Sequence, residues 1–309
     1  MPYVGEIAGL STALFWAMTF ILFSEAGKRI GSFAVNCIRL LLAVIIYSIV
    51  LTILDGTPWP EDLNTEQLTW LGLSGLIGLS IGDGLGFKAL VMIGPRLTTL
   101  LYSTAPIMAT IIAWVFLGEK LGSWDLLGIA VAIGGVSWVV MERQYSTGQT
   151  SAVTDDHPDK GSLTKGILLG LGAALGQAVG LVLAKQGMVH SGGDLSPMSA
   201  SFIRMLVGLG GIWLLAIIRG QLPLVIRALK NRPAMTFCTG GAIVGPFLGV
   251  WLSLVAVKYI ATGVAATLNS MTPIAVLPLL IWYYREEVSL RAWLGAILAV
   301  AGVTLIFLG

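Results

Sequence analysis

The chain has 309 residues, of which 56% are hydrophobic and only 11% are charged, whereas a soluble domain usually carries about 25% charged residues. A mean hydropathy of +0.88 leaves too little polar surface to cover a globule, so the composition excludes a soluble enzyme, a disordered chain and a nucleic-acid binder. The net charge is only +2, and the two cysteines, Cys37 and Cys238, both lie in apolar runs, which argues against a disulfide framework. The composition therefore indicates a polytopic membrane protein.

Apolar runs long enough to cross a bilayer recur along the whole chain. A hydrocarbon core of about 30 Å requires about 20 apolar residues per helix. Ten runs meet this need: 5–25, 33–53, 67–90, 97–117, 123–141, 163–185, 197–218, 233–257, 262–284 and 289–308. They are far longer than the ~10 residues of a barrel strand and do not alternate. The predicted fold class is an all-α membrane protein with ten transmembrane helices.

One polar segment divides the chain almost in half. We predict a first five-helix unit at 1–141, a polar linker at 142–162 and a second five-helix unit at 163–309. The linker places His157 near three aspartates, but no fixed helix supports these side chains as metal ligands. We interpret the segment as a solvated linker and expect no metal and no cofactor.

The two units repeat each other in sequence. An offset of 167 residues aligns identical residues, namely Ser103 with Ser270, Pro106 with Pro273 and Glu119 with Glu286, and near the front an offset of 165 aligns Arg39 with Arg204. Because each unit holds five helices, the second must enter the membrane in the opposite orientation. Inverted repeats are typical of secondary transporters, which place the substrate near the midplane between the repeats.

Small residues recur four apart in the third helix of each unit. The first stripe is Ser74, Gly78, Gly82 and Gly86, and the second is Gly241, Gly245, Gly249 and Ser253. Such stripes let another helix backbone approach closely. We predict that these helices pack tightly and slide against their neighbours.

Several short motifs occur in a fixed order in both units. They are Trp16-Ala17, Phe87 with Ala89-Leu90, Ala105-Pro106, Leu117-Gly118-Glu119, Gly128 with Gly134-Gly135-Val136, Thr272-Pro273 and Arg285-Glu286. In this order the chain resembles the EamA-type members of the drug/metabolite transporter superfamily. The resemblance implies a ten-helix carrier that moves small organic molecules by alternating access. It implies no particular substrate, and Gly82-Asp83-Gly84 departs from the commonest family pattern.

The expected function is secondary transport of small organic metabolites, either amino-acid-like or otherwise anionic or zwitterionic, with export left open. An integral membrane enzyme and a non-transporting scaffold or receptor are the alternatives. The sequence has no HExxH and no GxxxxGK[ST] motif, so we expect neither an enzyme nor an ATP-driven pump. The expected partners are a small-molecule substrate and membrane lipid, with no nucleic acid. We expect the bacterial inner membrane as its location.

Three charged residues lie at depth inside predicted spans: Arg39, Asp83 and Arg204. Each lies roughly 10 Å from a span boundary at ~1.5 Å per residue. A charge at the centre of a spanning helix costs about 2.5–3.5 kcal/mol on insertion scales, so each one indicates a function or a partner. By contrast, Lys185 and Lys258 lie at helix ends, where they are expected to snorkel to the surface.

The three charges suggest an ion pair and an anion site. Arg39 and Asp83 lie at similar depth on neighbouring helices and are predicted to pair. Arg204 repeats Arg39, but Val250 stands where an acid would match Asp83, so Arg204 is predicted to bind an anionic group of the substrate. The alternative is that Arg204 bonds to carbonyls freed by Pro273, or to Gln177 and Asn269.

The predicted substrate-binding set adds neutral polar and aromatic residues at depth. The full set is Arg204, Arg39, Asp83, Asn269, Gln177, Tyr102 and Trp16. Trp16 of the first unit aligns with Gln177 of the second unit. The first unit therefore offers an aromatic side chain to the predicted site where the second unit offers an amide. The resemblance places helices one, three, four, six, eight and nine on the path. The almost purely apolar helices five and ten are predicted to be peripheral and offer a surface for a homodimer.

Loop charges give a prediction of orientation. One set of alternate loops carries Lys28, Arg29, Arg96, Arg143, Lys160, Lys165, Arg219, Arg227, Lys230, Arg232, Arg285 and Arg291, and the other set carries Lys120, Lys185 and Lys258. The positive-inside rule places the first set in the cytoplasm and both termini outside. The family resemblance suggests the reverse orientation.

Overall fold

The computed structural model describes residues 3–60, 63–147, 160–272, 274–275, 278 and 290–308. Every element within these ranges is helical. The α-helices are α1 Val4–Ile30, α2 Ser32–Asp55, α3 Thr65–Ser74, α4 Asp83–Tyr102, α5 Ala105–Leu117, α6 Ser123–Thr147, α7 Lys160–Lys185, α8 Pro197–Ile218, α9 Leu222–Ala228, α10 Arg232–Ala242, α11 Val250–Tyr259, α12 Thr262–Asn269 and α13 Leu290–Leu308. Three π-helical segments, Gly75–Gly82, Gln186–His190 and Ile243–Gly249, continue their neighbouring helices.

Six of the described helices are long and apolar enough to cross a membrane: Val4–Ile30, Ser32–Asp55, Thr65–Gly86, Leu163–His190, Pro197–Ile218 and Arg232–Tyr259. Three shorter apolar helices occupy Ala105–Leu117, Ser123–Trp138 and Trp293–Leu305. The predicted ninth run, 262–284, falls partly outside the described residues. The all-helical membrane class is confirmed, while the count of ten stays a prediction.

Part of the predicted linker is helical. α6 continues to Thr147 and α7 begins at Lys160, so both ends of the 142–162 segment belong to helices. The aspartates and His157 of that segment lie outside the described residues.

The third and fourth predicted helices form a hairpin whose reversal lies within the range of α4, Asp83–Tyr102. Leu85 packs on Gly172 of α7, Ile93 packs on Gly166, and Leu101 then returns to Gly170. A straight helix would carry Leu101 about 12 Å beyond Ile93 in one direction. The chain therefore reverses between Ile93 and Leu101, as the two separate runs 67–90 and 97–117 predict.

Helix boundaries repeat with the same offset as the sequence. Corresponding helices begin 167 residues apart: α3 and α10 at Thr65 and Arg232, α4 and α11 at Asp83 and Val250, and α6 and α13 at Ser123 and Leu290. The π-helical segments Gly75–Gly82 and Ile243–Gly249 also occupy equivalent positions. The internal repeat is therefore one of structure as well as of sequence.

The equivalent helices α6 and α13 run in opposite directions, as inverted repeats require. A Cβ added to Gly135 in α6 would lie 2.7 Å from the carbonyl oxygen of Gly295, and one added to Gly302 in α13 would lie 2.8 Å from that of Gly128. Because the later residue of α6 meets the earlier residue of α13, the two helices are antiparallel. Each also presents exposed large side chains, including Trp138 and Ile297, on its outer face.

The first helix of each repeat packs on the third helix of the other. In α7, Gly176 and Gly180 lie against the backbone of Gly82 and Gly78. In α1, the side chains of Trp16, Thr19 and Phe23 lie against Gly249, Gly245 and Gly241, respectively. The predicted small-residue stripes therefore form the contacts between the repeats, where a larger side chain would separate the helices.

Several loops meet at one end of the bundle, which we call the Lys185 end. Here Asn64 donates to the carbonyl of Ser191 at 2.7 Å, and the Lys258 amine lies 2.8 Å from the Asp194 carboxylate. Gly5, at the start of α1, contacts Ile260 at the same end. Lys258 therefore has a partner in the structure, the largely exposed carboxylate of Asp194.

Candidate functional site

A buried ion pair forms the centre of the candidate site. The Nη2 of Arg39 on α2 donates to the Oδ2 of Asp83 at the start of α4, and the two side chains are only 6% and 14% exposed. Arg39 Nε also donates to Asn36 Oδ1 at 2.7 Å, one turn earlier on the same helix. The predicted pairing of Arg39 with Asp83 is confirmed. The amide oxygen of Asn36 accepts a further N–H of the same guanidinium.

Gln177 connects this pair to the second repeat. Its Nε2 on α7 donates to Asp83 Oδ1 at 2.7 Å, so both carboxylate oxygens of Asp83 accept hydrogen bonds. The close approach of α7 to Gly78 and Gly82 brings the amide to this depth. Trp16, at the aligned position of the first repeat, lies instead against Gly249. The structure thus places Gln177 in the polar cluster, whereas Trp16 on α1 packs against the third helix of the second repeat.

Arg204 lies in the same region without a comparable partner. It is 5% exposed, and its Nε has no hydrogen-bond partner among the described residues. The backbone of Arg204 lies directly against Gly75, and its Nη2 would be 3.7 Å from a Cβ on Gly78, so the guanidinium faces the π-helical segment Gly75–Gly82. Asp83 directly follows this segment, but its carboxylate bonds to Arg39 and Gln177.

The alternative partners considered for Arg204 are used elsewhere. Gln177 donates to Asp83, and Asn269 donates from Nδ2 to the hydroxyl of Ser253 at 2.8 Å. Pro273, whose freed carbonyls were the other alternative, lies outside the described residues. Among the described groups, Arg204 Nε is a buried donor that still lacks an acceptor.

Tyr102 and Asn269 occupy equivalent positions and make equivalent contacts. The Tyr102 hydroxyl lies against Gly86, and the Asn269 amide bonds to Ser253, the residue that matches Gly86. Gly86 lies three residues after Asp83 on α4, so the Tyr102 hydroxyl lies beside the polar cluster. Asn269, at the end of α12, thereby contacts the third helix of the second repeat, and its Oδ1 is buried with no hydrogen-bond partner among the described residues.

Both of these residues end a helix. A turn at 103–104 separates Tyr102 from α5, whose second residue is the buried Pro106. A turn at 270–271 follows Asn269 in the same way. Interrupted helices leave backbone groups available near the centre of a membrane protein, which is where carriers use them to bind substrates.

Two contributors to the cluster, Tyr47 and Asn36, were absent from the predicted set. Tyr47 is fully buried, and its hydroxyl donates to the carbonyl of Phe247 at 2.8 Å, in the π-helical segment Ile243–Gly249. Asn36 and Tyr47 lie three and eight residues from Arg39 on α2, and residues at such spacings share a helix face. This spacing is the feature of the sequence from which the two residues could have been predicted.

A second buried ion pair joins the repeats at the Lys185 end. Lys185 Nζ lies 2.7 Å from Glu119 Oε1, and the two side chains are 11% and 15% exposed. Glu119 also accepts from the backbone N–H of Thr262 at 2.7 Å and from its hydroxyl at 2.9 Å, while Lys185 donates to the carbonyl of Ile260 at 2.7 Å. The prediction that Lys185 snorkels to the surface is therefore wrong, because the segments that contain Glu119 and Ile260 pack over it and bury it.

Comparison with known proteins supports the two-repeat architecture. One solved structure, described only as the crystal structure of a protein, aligns with a TM-score of 0.71 at 14% identity and covers 97% of this chain and 95% of its own. At that identity the likeness concerns the fold alone. No curated protein matches the chain. The sequence model of the EamA-like transporter family matches twice, over residues 3–141 and 164–308. The chain is thus an integral membrane protein that belongs to the EamA-like transporter family, whose members carry small molecules across membranes.

Proposed function

We propose that this protein is a secondary carrier of small organic metabolites that bear an anionic or zwitterionic group. In this proposal Arg204 binds the anionic group near the centre of the bundle. The observation that carries the proposal is the Nε of Arg204, a buried donor with no acceptor among the described residues.

A buried guanidinium without an acceptor is costly, so a structure that retains one needs a compensating ligand. A carboxylate or another oxyanion supplies that ligand, because its two oxygens match the planar donors of arginine. The neighbouring Asp83 is occupied by Arg39 and Gln177. An anionic substrate would therefore meet a guanidinium that is already desolvated and held in place by helix packing.

The two buried ion pairs support an alternating-access cycle. The Arg39–Asp83 pair joins helices of one repeat, whereas the Glu119–Lys185 pair joins the two repeats at the Lys185 end. Opening that end requires the second pair to separate, and the small-residue contacts between the repeats give a surface on which helices can slide. The Glu119–Lys185 pair would thus hold the Lys185 end closed until the opposite end closes.

The test is uptake into proteoliposomes by purified protein. Candidate solutes are first ranked by the thermal stabilisation they give in detergent, because a true ligand raises apparent stability by mass action. Anionic or zwitterionic solutes should accumulate, and Arg204→Gln should remove most of this uptake. Arg219→Gln, an exposed arginine just after α8, is the control and should behave as wild type. Unchanged substrate affinity in correctly inserted Arg204→Gln would overturn the anion site, and comparing outward with inward flux would establish the preferred direction.

A further inference from the structure

The charged side chains of the central cluster, Arg39, Asp83 and Arg204, do not balance one another. Arg39 and Arg204 contribute two positive charges and Asp83 one negative charge, which leaves a net charge of +1. The other buried cation of the described helices, Lys185, is neutralised by Glu119 at the Lys185 end. Counted over the described residues, the centre is therefore one negative charge short of neutrality.

Asp83 influences both arginines. Its carboxylate bonds to Arg39 and accepts from Gln177, and the Arg204 guanidinium faces Gly78 in the segment Gly75–Gly82, which directly precedes Asp83. In a medium of low dielectric constant such a charge acts over several ångströms. Asp83 therefore lowers the positive potential that a ligand meets at Arg204, even though it does not bond to Arg204.

The second repeat leaves this balance incomplete. Val250 occupies the position equivalent to Asp83 and is buried. An acid there would pair with Arg204 and bring the centre to neutrality without a ligand. Because Asp83 has no acidic counterpart at position 250, the described part of the centre lacks one negative charge.

We propose that Asp83 is a specificity-determining residue that restricts the Arg204 site to groups with a single negative charge, such as a carboxylate or sulfonate, and discriminates against dianions such as a phosphate monoester. The inference rests on the proposed function, because it assumes that Arg204 binds the anion. A monoanion brings the buried centre to neutrality. A dianion leaves one uncompensated negative charge, which is unfavourable away from water.

The test compares two probes of similar shape and different charge. Benzenesulfonate is a monoanion, and phenyl phosphate is largely a dianion at pH 8, because the second pKa of a phosphate ester is about 6. Binding to the full-length protein in detergent is measured by thermal shift and by calorimetry. Wild type should prefer benzenesulfonate. Asp83→Asn, which raises the net charge of the centre to +2, should move the preference toward phenyl phosphate by about tenfold.

The double variant Arg39→Gln with Asp83→Asn restores the net charge to +1 and removes the unpaired Arg39 that the single variant leaves. It should return to the wild-type preference. That result would show that the net charge of the centre, and not a local change of structure, sets the preference. Asp194→Asn removes a largely exposed carboxylate at the Lys185 end and is the control, which should leave the preference unchanged.

The two proposals fail in different ways. If Arg204→Gln binds both probes as wild type does, the anion site itself is wrong. If Arg204→Gln loses both probes while Asp83→Asn and the double variant keep the wild-type preference, the anion site stands and the role of Asp83 is overturned.

Discussion

The two repeats of this protein agree where they pack and differ where they carry charge. Gly135 and Gly302 occupy equivalent positions and make reciprocal contacts between α6 and α13. Arg39 and Arg204 are also equivalent, but Arg39 is paired with Asp83, whereas Val250 stands in the matching position of the second repeat. The comparison teaches that matching residues maintain the pseudo-symmetric scaffold, and that mismatched residues create the chemistry of the centre.

The largest expected effect comes from removing each arginine in turn. Arg39→Met leaves Asp83 buried with an unmatched charge and should lower the free energy of unfolding by about 3–5 kcal/mol. Arg204→Met removes a guanidinium whose Nε has no acceptor and should leave stability unchanged or raise it. Reversible unfolding in mixed micelles measures the free energy of unfolding of both variants. If both lost the same amount of stability, the two arginines would not differ in the way proposed.

A smaller and symmetric effect is expected at the shared glycines. Gly135→Ala and Gly302→Ala each force a Cβ against the backbone of the opposite helix and should each cost about 1–3 kcal/mol of stability. Gly134→Ala is the control, because a Cβ there meets nothing within 4 Å and the equivalent residue is already Ala301. A loss at only one of the two glycines would show that the repeats do not share this contact equally.

An acidic residue at position 250 would give the second repeat the charge that Asp83 gives the first. Val250→Asp should supply Arg204 with an internal acceptor and neutralise the centre, so affinity for an anionic solute should fall by about tenfold or more. Val250→Asn, which adds similar polarity without charge, serves as the control. Titration calorimetry with the best-stabilising anion measures the change, and undiminished affinity in Val250→Asp would show that Arg204 does not bind the anion.

The smallest effect is expected at the Lys185 end. Glu119→Gln should weaken the contact between repeats and raise the rate at which a thiol reagent reaches Tyr102→Cys by a few-fold, since surrounding hydrogen bonds remain. The measurement uses a background in which Cys37 and Cys238 are replaced by alanine. Glu66→Gln, an exposed residue at the start of α3, should leave the rate unchanged. Equal rates in both variants would mean that the ion pair does not close this end.

Most of the fold was predictable because it depends on local patterns. The length of the apolar runs predicted membrane helices, and the offset of 167 residues predicted the equivalent helix starts. The odd number of helices per repeat predicted the antiparallel arrangement that the Gly135 and Gly302 contacts show. The Arg39–Asp83 pair was also predictable, because two opposite charges at similar depth on neighbouring helices have few alternatives in an apolar medium.

The sequence by itself determined the membrane-helix class, the repeat and the identity of the buried charges, because hydropathy and offset are properties of the chain. Only the tertiary structure decided which groups meet: Gln177 with Asp83, Tyr47 with Phe247, and Lys185 with Glu119. Each of these contacts joins the first repeat to the second. Such contacts depend on how each helix is rotated and how deeply it lies against the other repeat, which the glycine contacts set and no local spacing encodes. For the same reason, only the structure shows that the Nε of Arg204 remains without an acceptor among the described residues.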